Sequence, residues 1–188
     1  MNCRFGSELS RRRFFRAVTP VAVGALGVPS LSKRLFAQEK PGFWSPYTPE
    51  EQRVIDQSVM AQDLHNFVGH GYGCAECALI VGLRYLGEPE ERLGAAATFS
   101  GGFGKGSLCG FFTGSMMAIG IAARKLHEDR SEMRQFVRPL RDEFWDWWNS
   151  RGSIDCRDLR ERYDGSEEFM RMGQRTVAKV EELIAPAR

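Results

Sequence analysis

The pattern of helix-start and helix-stop signals after residue 47 constrains the fold of this chain more than any other feature. Thr48 and Glu51 occupy the two key positions of a capping box, and Pro49 lies at the first helical position. Apolar periodicity and glycine breaks predict helices over residues 48–68, 74–86, 89–98, 108–127, 131–150 and 166–185, with a short turn or helix over 156–162. No stretch alternates at period two for long. The sequence therefore predicts an all-α protein, a compact bundle of five to six helices.

The first 37 residues have the features of an export signal. Residues 10–16, SRRRFFR, match the twin-arginine pattern, and a weakly apolar run over 17–31 follows. That run is too short and too interrupted to span a bilayer comfortably. We expect a twin-arginine signal peptide over 1–37, a linker over 38–47 and a single helical cysteine-containing domain over 48–188. The twin-arginine export machinery would deliver it, already folded, to a periplasmic or other extracytoplasmic location. A basic N-terminus with no export role is the alternative.

The charge balance excludes one large class of function. Nineteen of the 26 basic residues but 23 of the 24 acidic residues follow Gln38, so the predicted domain carries a net charge near −4. A nucleic-acid-binding domain would instead show an excess of basic residues. We therefore expect no nucleic-acid partner.

Four cysteines in the predicted domain are the candidate site residues. Cys74 and Cys77 lie three residues apart at a helix start, so both sulfurs share one helix face. Cys109 lies at the next glycine-rich helix start, and Cys156 lies near the C-terminal part of the chain. A domain of this length forms a full core without disulfides, so the cysteines need another explanation. Thiolates are strong metal ligands and good nucleophiles, and the positive end of a helix favours the thiolate. All four are candidate catalytic, cofactor-binding and metal-binding residues.

Several chemistries are compatible with this set. Four thiolates suffice for an iron–sulfur cluster that transfers electrons. A pair such as Cys74 and Cys109 would instead support a thiol–disulfide oxidoreductase without metal. A structural or metal-binding partner protein is a third alternative, and small buried hydrophobes are the plainest one. A c-type haem site is excluded, because Ala78 stands where a histidine would follow Cys77, and a thioredoxin site would require a preceding strand.

The glycine-rich segment over residues 100–107 has its own interpretation. Its sequence is SGGFGKGS, in which Gly106 separates Lys105 from Ser107, so it lacks the Gly-Lys-Ser order of a phosphate-binding loop. We expect these glycines to let the backbone pass close to a sulfur centre.

Three of these segments together resemble a known family. They are similar to the conserved elements of the redox-active C-GCAxxG-C-C proteins. The first is GYGCAE over residues 71–76, the second is FSGGFG over 99–104 with CGFFTG over 109–114, and the third is CRDL over 156–159. Two positions depart from that pattern. Phe111 replaces an alanine, and the family's last cysteine would fall near Met172, where the chain has none. Cys77 is additional, which makes it the candidate fourth sulfur.

The resemblance implies a redox-active protein that uses a convergent cluster of Cys74, Cys77, Cys109 and Cys156, and the twin-arginine segment adds the expectation that this protein is exported. The iron–sulfur part of split-Soret cytochromes is also similar, which favours an iron–sulfur cluster over a disulfide. A redox partner protein would then be required, and its identity does not follow from the resemblance.

Overall fold

The computed structural model describes residues 48–163 and 165–188. The predicted signal peptide and linker lie outside them. Seven α-helices follow one another in the described part of the chain: α1 (Pro49–Gln57), α2 (Val59–Asp63), α3 (Cys74–Leu86), α4 (Gly110–Leu126), α5 (Arg130–Asn149), α6 (Cys156–Tyr163) and α7 (Glu167–Ile184). Within these residues there is no β-strand, only one isolated bridge between Leu108 and Asp155. The predicted all-α class is confirmed, with slightly more helices than expected.

The predicted first helix is divided at Ser58. This residue has an extended conformation (φ −78°, ψ 121°), and its Oγ accepts a hydrogen bond from the amide of Ala61 at 3.0 Å. The same hydroxyl donates to Glu181 Oε2 at 2.6 Å, and that carboxylate also accepts from the amide of Met60 at 2.8 Å. A carboxylate of α7 thus fixes the start of α2. The partner is 123 residues away, which explains why the local sequence pattern predicted one continuous helix.

Helix α3 lies at the centre of the core. Nine of its residues are buried, and it packs most extensively against α4. Small residues allow the two helices to approach closely: a Cβ on Gly82 would lie 2.6 Å from the Cβ of Ala118, and one on Gly114 would lie 2.2 Å from the carbonyl oxygen of Ala75. These short distances require glycine at both positions. Helix α7 packs on the same pair and completes the core.

Helix α5 covers α4 with aromatic side chains. The ring of Phe112 stacks on Phe144 at a centroid distance of 5.4 Å and meets Trp148 edge-on at 5.3 Å. Both partners are fully buried, whereas Trp145 remains 46% exposed. Phe144 and Trp148 therefore belong to the core, and Trp145 lies at its edge. Pro139 lies inside α5 without ending it.

Segments of 3-10 and π-helical type lie between the α-helices and after the last one. Three-residue 3-10 turns cover Leu64–Asn66 and Ala185–Ala187, and a longer 3-10 segment covers Glu90–Phe99, where an α-helix was expected. The predicted stop at Gly87 is confirmed by its left-handed conformation, φ 66°. A wide turn of π-helical type covers Gly102–Gly106. Among the described helices, none is both long enough and apolar enough to cross a bilayer.

Candidate functional site

Three helices begin with a cysteine at or next to their first residue. Cys74 is the first residue of α3, Cys109 is the N-cap of α4, and Cys156 is the first residue of α6. Cys77 lies one turn further along α3. Cys77, Cys109 and Cys156 are at most 4% exposed, whereas Cys74 is only half-buried. Cys74 is therefore the thiol that solvent can reach most readily.

The starts of α3 and α4 meet at Cys74. A Cβ on Gly110 would lie 2.2 Å from Cys74 Sγ and 2.8 Å from the amide nitrogen of Ala75. Any side chain at position 110 would therefore displace the Cys74 sulfur. Because Gly110 follows Cys109 directly, this contact brings Cys74 next to the N-cap of α4. Cys74, Cys77 and Cys109 are free thiols.

Backbone pairing places Cys109 beside Cys156. The amide of Cys109 donates to the carbonyl of Ile154 at 2.8 Å, and the amide of Cys156 donates to the carbonyl of Ser107 at 2.6 Å. The two cysteines thus flank the Leu108–Asp155 bridge. These backbone hydrogen bonds therefore hold the starts of α4 and α6 together at the positions of Cys109 and Cys156.

The glycine-rich turn covers Cys156. A Cβ on Gly102 would lie 2.8 Å from the Cβ of Cys156 and 2.5 Å from the amide nitrogen of Ser107. Gly102 also has a left-handed conformation, φ 60°, which a larger residue would adopt only at a cost. At Gly102 the segment passes close to the side chain of Cys156, and the expected sulfur centre stays a prediction.

Burial controls the ionisation of two thiols. It raises the pKa of Cys77 to about 12, with further contributions from the charges of Cys74 and Glu76. Burial also raises the pKa of Cys109 far above its usual range, and the charges of Cys74 and Cys156 raise it further. The amides of Phe112 and Phe111 hydrogen-bond to the Cys109 sulfur and oppose this rise. Both side chains are therefore neutral thiols near pH 7, and the Cys77 thiol donates to the carbonyl of Tyr72 at 3.7 Å.

The cysteines also affect the pKa values of one another. Cys74 influences both Cys77 and Cys109, and Cys109 is also influenced by Cys156. These effects agree with the backbone contacts, which bring Cys74 to the start of α4 and Cys109 to the start of α6. Over residues 48–163 and 165–188, no group of three or more His, Cys, Asp or Glu side chains is arranged to hold a metal ion. The described residues therefore show no ready-made metal site, and a four-thiolate cluster at these cysteines stays a prediction.

Glu76 supports the Cys74 turn, a role that sequence analysis missed. Its Oε2 accepts a hydrogen bond from the amide of Gly73, the N-cap of α3, at 2.9 Å. Glycine has no side chain to return a bond, so Glu76 provides only this half of a capping box. Gly73 faces Ser100, whose Oγ would lie 2.0 Å from a Cβ at position 73. The signal was present in the sequence, because Glu76 stands three residues after the N-cap glycine.

Comparison with known proteins places the chain in a family. Residues 72–185 match the family model described as "Putative redox-active protein (C_GCAxxG_C_C)". That match covers more than half of the chain. The chain belongs to the C_GCAxxG_C_C family. No curated protein and no solved structure matches the chain. The three cysteine-bearing helix starts all lie within the part that matches this redox-active family.

Proposed function

We propose that this C_GCAxxG_C_C protein is a thiol–disulfide redox protein in which Cys74 and Cys109 form the reactive pair. The observation that carries the proposal is the contact between the half-buried Cys74 sulfur and Gly110, directly after the buried Cys109. Disulfide exchange requires an accessible attacking thiol and a second thiol within reach of it. Cys74 supplies the first and Cys109 the second.

The reaction is an ordinary exchange of sulfur bonds. The Cys74 thiolate attacks one sulfur of a substrate disulfide, forms a mixed disulfide and releases the other substrate sulfur as a thiolate, which takes up a proton. Cys109 then loses its proton and attacks the Cys74 sulfur. A Cys74–Cys109 disulfide forms, and the second substrate thiol leaves. The protein loses two electrons and the substrate disulfide gains them.

The electrostatics of the site favour this order. The charge of Cys74 is one of the causes that raise the pKa of Cys109. A Cys74 sulfur in a mixed disulfide carries no charge and makes no such contribution, although burial, the largest cause, still raises the pKa of Cys109. The amides of Phe111 and Phe112 then stabilise the Cys109 thiolate at the start of α4.

Peptide mapping tests the pair. The full-length chain is reduced without oxygen, treated with oxidised glutathione, blocked with an alkylating reagent and digested without reductant. We expect a reversible Cys74–Cys109 crosslink. Cys74→Ser and Cys109→Ser should each abolish it, while the matched control Cys77→Ser should retain it. Absence of any disulfide at Cys74 after oxidation would overturn the proposal. Variants that are only less stable would favour a structural role.

An iron–sulfur cluster is the second candidate. Its support is the presence of four cysteines within the first turn of three helices in a redox-active family. A cluster would require those sulfurs to move towards a common centre, because the described donors do not group around one. Iron and acid-labile sulfide in stoichiometric amounts, with visible absorption, in protein prepared without oxygen would favour this candidate. Colourless and iron-free protein from that preparation would rule it out.

Export through the twin-arginine pathway is a separate proposal. It is supported by the SRRRFFR segment over residues 10–16. The redox partner would then meet the protein outside the cytoplasm. Replacement of Arg11 and Arg12 by lysine should retain the protein in the cytoplasm on cell fractionation, whereas replacement of Arg4 by lysine should not. Unchanged distribution of the double variant would contradict export by this route.

A further inference from the structure

A basic cavity lies beside the glycine-rich turn, outside the cysteine site. Its volume is about 370 Å³, and its charged lining residues are Lys105, Arg157, Arg160 and Glu161. Three cations against one carboxylate give this small concave surface a net charge of +2. The predicted domain as a whole is mildly acidic, so the cavity is a local exception to its charge balance.

The fold brings the positively charged side chains together at this cavity. Arg157 and Arg160 are three residues apart on α6 and share a face of that helix. The turn holds Arg157, because a Cβ on Gly106 would lie 3.1 Å from the Arg157 Cβ and 3.3 Å from its Nε. An Arg157 side-chain nitrogen also donates to the carbonyl of Lys105 at 3.4 Å. Arg157 therefore has a defined position at the wall of the cavity.

The remaining wall is bare backbone. Gly101 and Gly104 line the cavity, and a Cβ on either one would meet no atom within 4 Å. The residues from Gly101 to Gly104 all have left-handed conformations, including Phe103 at φ 59°. The backbone conformation favours glycine at these two positions, and the missing side chains leave space that a ligand could occupy. A non-glycine residue at positive φ is a local strain of the kind that accompanies ligand sites.

We propose that this cavity binds a small oxyanion, the phosphate or carboxylate group of a small molecule. Arginine presents paired N–H donors that match both groups, and lysine adds a positive charge. Glu161 opposes binding but leaves an excess of two positive charges. The inference goes beyond the redox function, because binding at this cavity requires no reaction at a cysteine.

Calorimetric titration of the full-length chain tests the site. Inorganic phosphate and succinate are titrated separately, with ionic strength held constant by sodium chloride. We expect saturable binding at one site, weakened about tenfold by Arg157→Gln or Arg160→Gln, since a hydrogen bond to a charged group contributes about a factor of ten or more. The tighter of the two probes identifies the oxyanion class.

Matched variants distinguish binding at the cavity from a general effect of positive charge on the protein surface. Arg134→Gln on α5 removes the same charge at an exposed position outside the cavity and should bind as the wild type does. Glu161→Gln should tighten binding, a gain that misfolding cannot produce. Cys74→Ser should leave binding unchanged, so failure of the redox proposal would not affect this one. No saturable binding of either probe, or equal weakening by Arg134→Gln, would overturn the inference.

Discussion

At the scale of single residues, burial separates the four cysteines of the family match into different chemical roles. Cys77 and Cys109 are neutral thiols in the core, and Cys74 is half-buried beside both of them. The sequence placed all four as equivalent candidates. Their difference arises from exposure, which spacing along the chain does not reveal. The accessible thiol is the one at the first position of α3.

The pKa of Cys77 leads to a pH-dependent stability. This pKa rises from 9.0 to about 12 on folding. The neutral Cys77 thiol therefore makes its full contribution to the free energy of unfolding below pH 9, and this contribution is lost as the pH rises from 9 towards 12. The unfolded chain ionises first, and each pH unit in that window costs about 1.4 kcal/mol for this group. Urea unfolding of the reduced protein at pH 7, 9 and 10 measures this effect. The free energy of unfolding should decrease less steeply with pH for Cys77→Ala than for the wild type.

The packing lost in Cys77→Ala lowers stability equally at every pH, so the slope alone reports the ionisation. Parallel stability curves for the variant and the wild type would show that the Cys77 thiol ionises equally in both states.

At the scale of elements, the starts of α3 and α4 approach each other through glycine. Gly110 and Gly114 on α4 contact the Cys74 sulfur and the Ala75 carbonyl, respectively. The sequence predicted both helices and nearly correct boundaries for them. It did not show which faces meet, because that depends on how the intervening 3-10 segment and glycine-rich turn return the chain.

A pair of glycine substitutions on α4 tests this contact. Gly110→Ala places a Cβ 2.2 Å from Cys74 Sγ and should lower the free energy of unfolding by about 1–3 kcal/mol through overpacking. The control Gly120→Ala meets no atom within 4 Å and should raise stability by up to about 1 kcal/mol through helix propensity. Urea unfolding measures both. Equal effects of the two substitutions would contradict the close approach.

At the scale of the whole molecule, the proposed disulfide would join two central helices of the core. Helices α3 and α4 form the most extensive helix pair, and α7 packs on both. A crosslink between Cys74 and Cys109 would close a loop of about 35 residues that contains α3 and the glycine-rich turn. The oxidised and reduced forms should therefore differ in global stability.

Chain entropy sets the size of that difference. Oxidation should increase the free energy of unfolding by up to about 3–4 kcal/mol for a loop of this length. Urea denaturation of the fully oxidised and fully reduced protein measures it, and Cys74→Ser serves as the control that should lose the increase. Identical denaturation midpoints for oxidised and reduced wild type would contradict a Cys74–Cys109 crosslink.

The sequence by itself determined the helical class, most of the helix starts and the residues that carry the family match, because caps, glycines and apolar periodicity act over a few neighbouring residues. Tertiary structure decided the division of the first helix at Ser58, where the carboxylate of Glu181 arrives from the far end of the chain. It also decided which cysteine faces solvent and which cations share a cavity with the glycine-rich turn. Each of these depends on contacts between residues distant in sequence, and local preferences carry no information about such contacts.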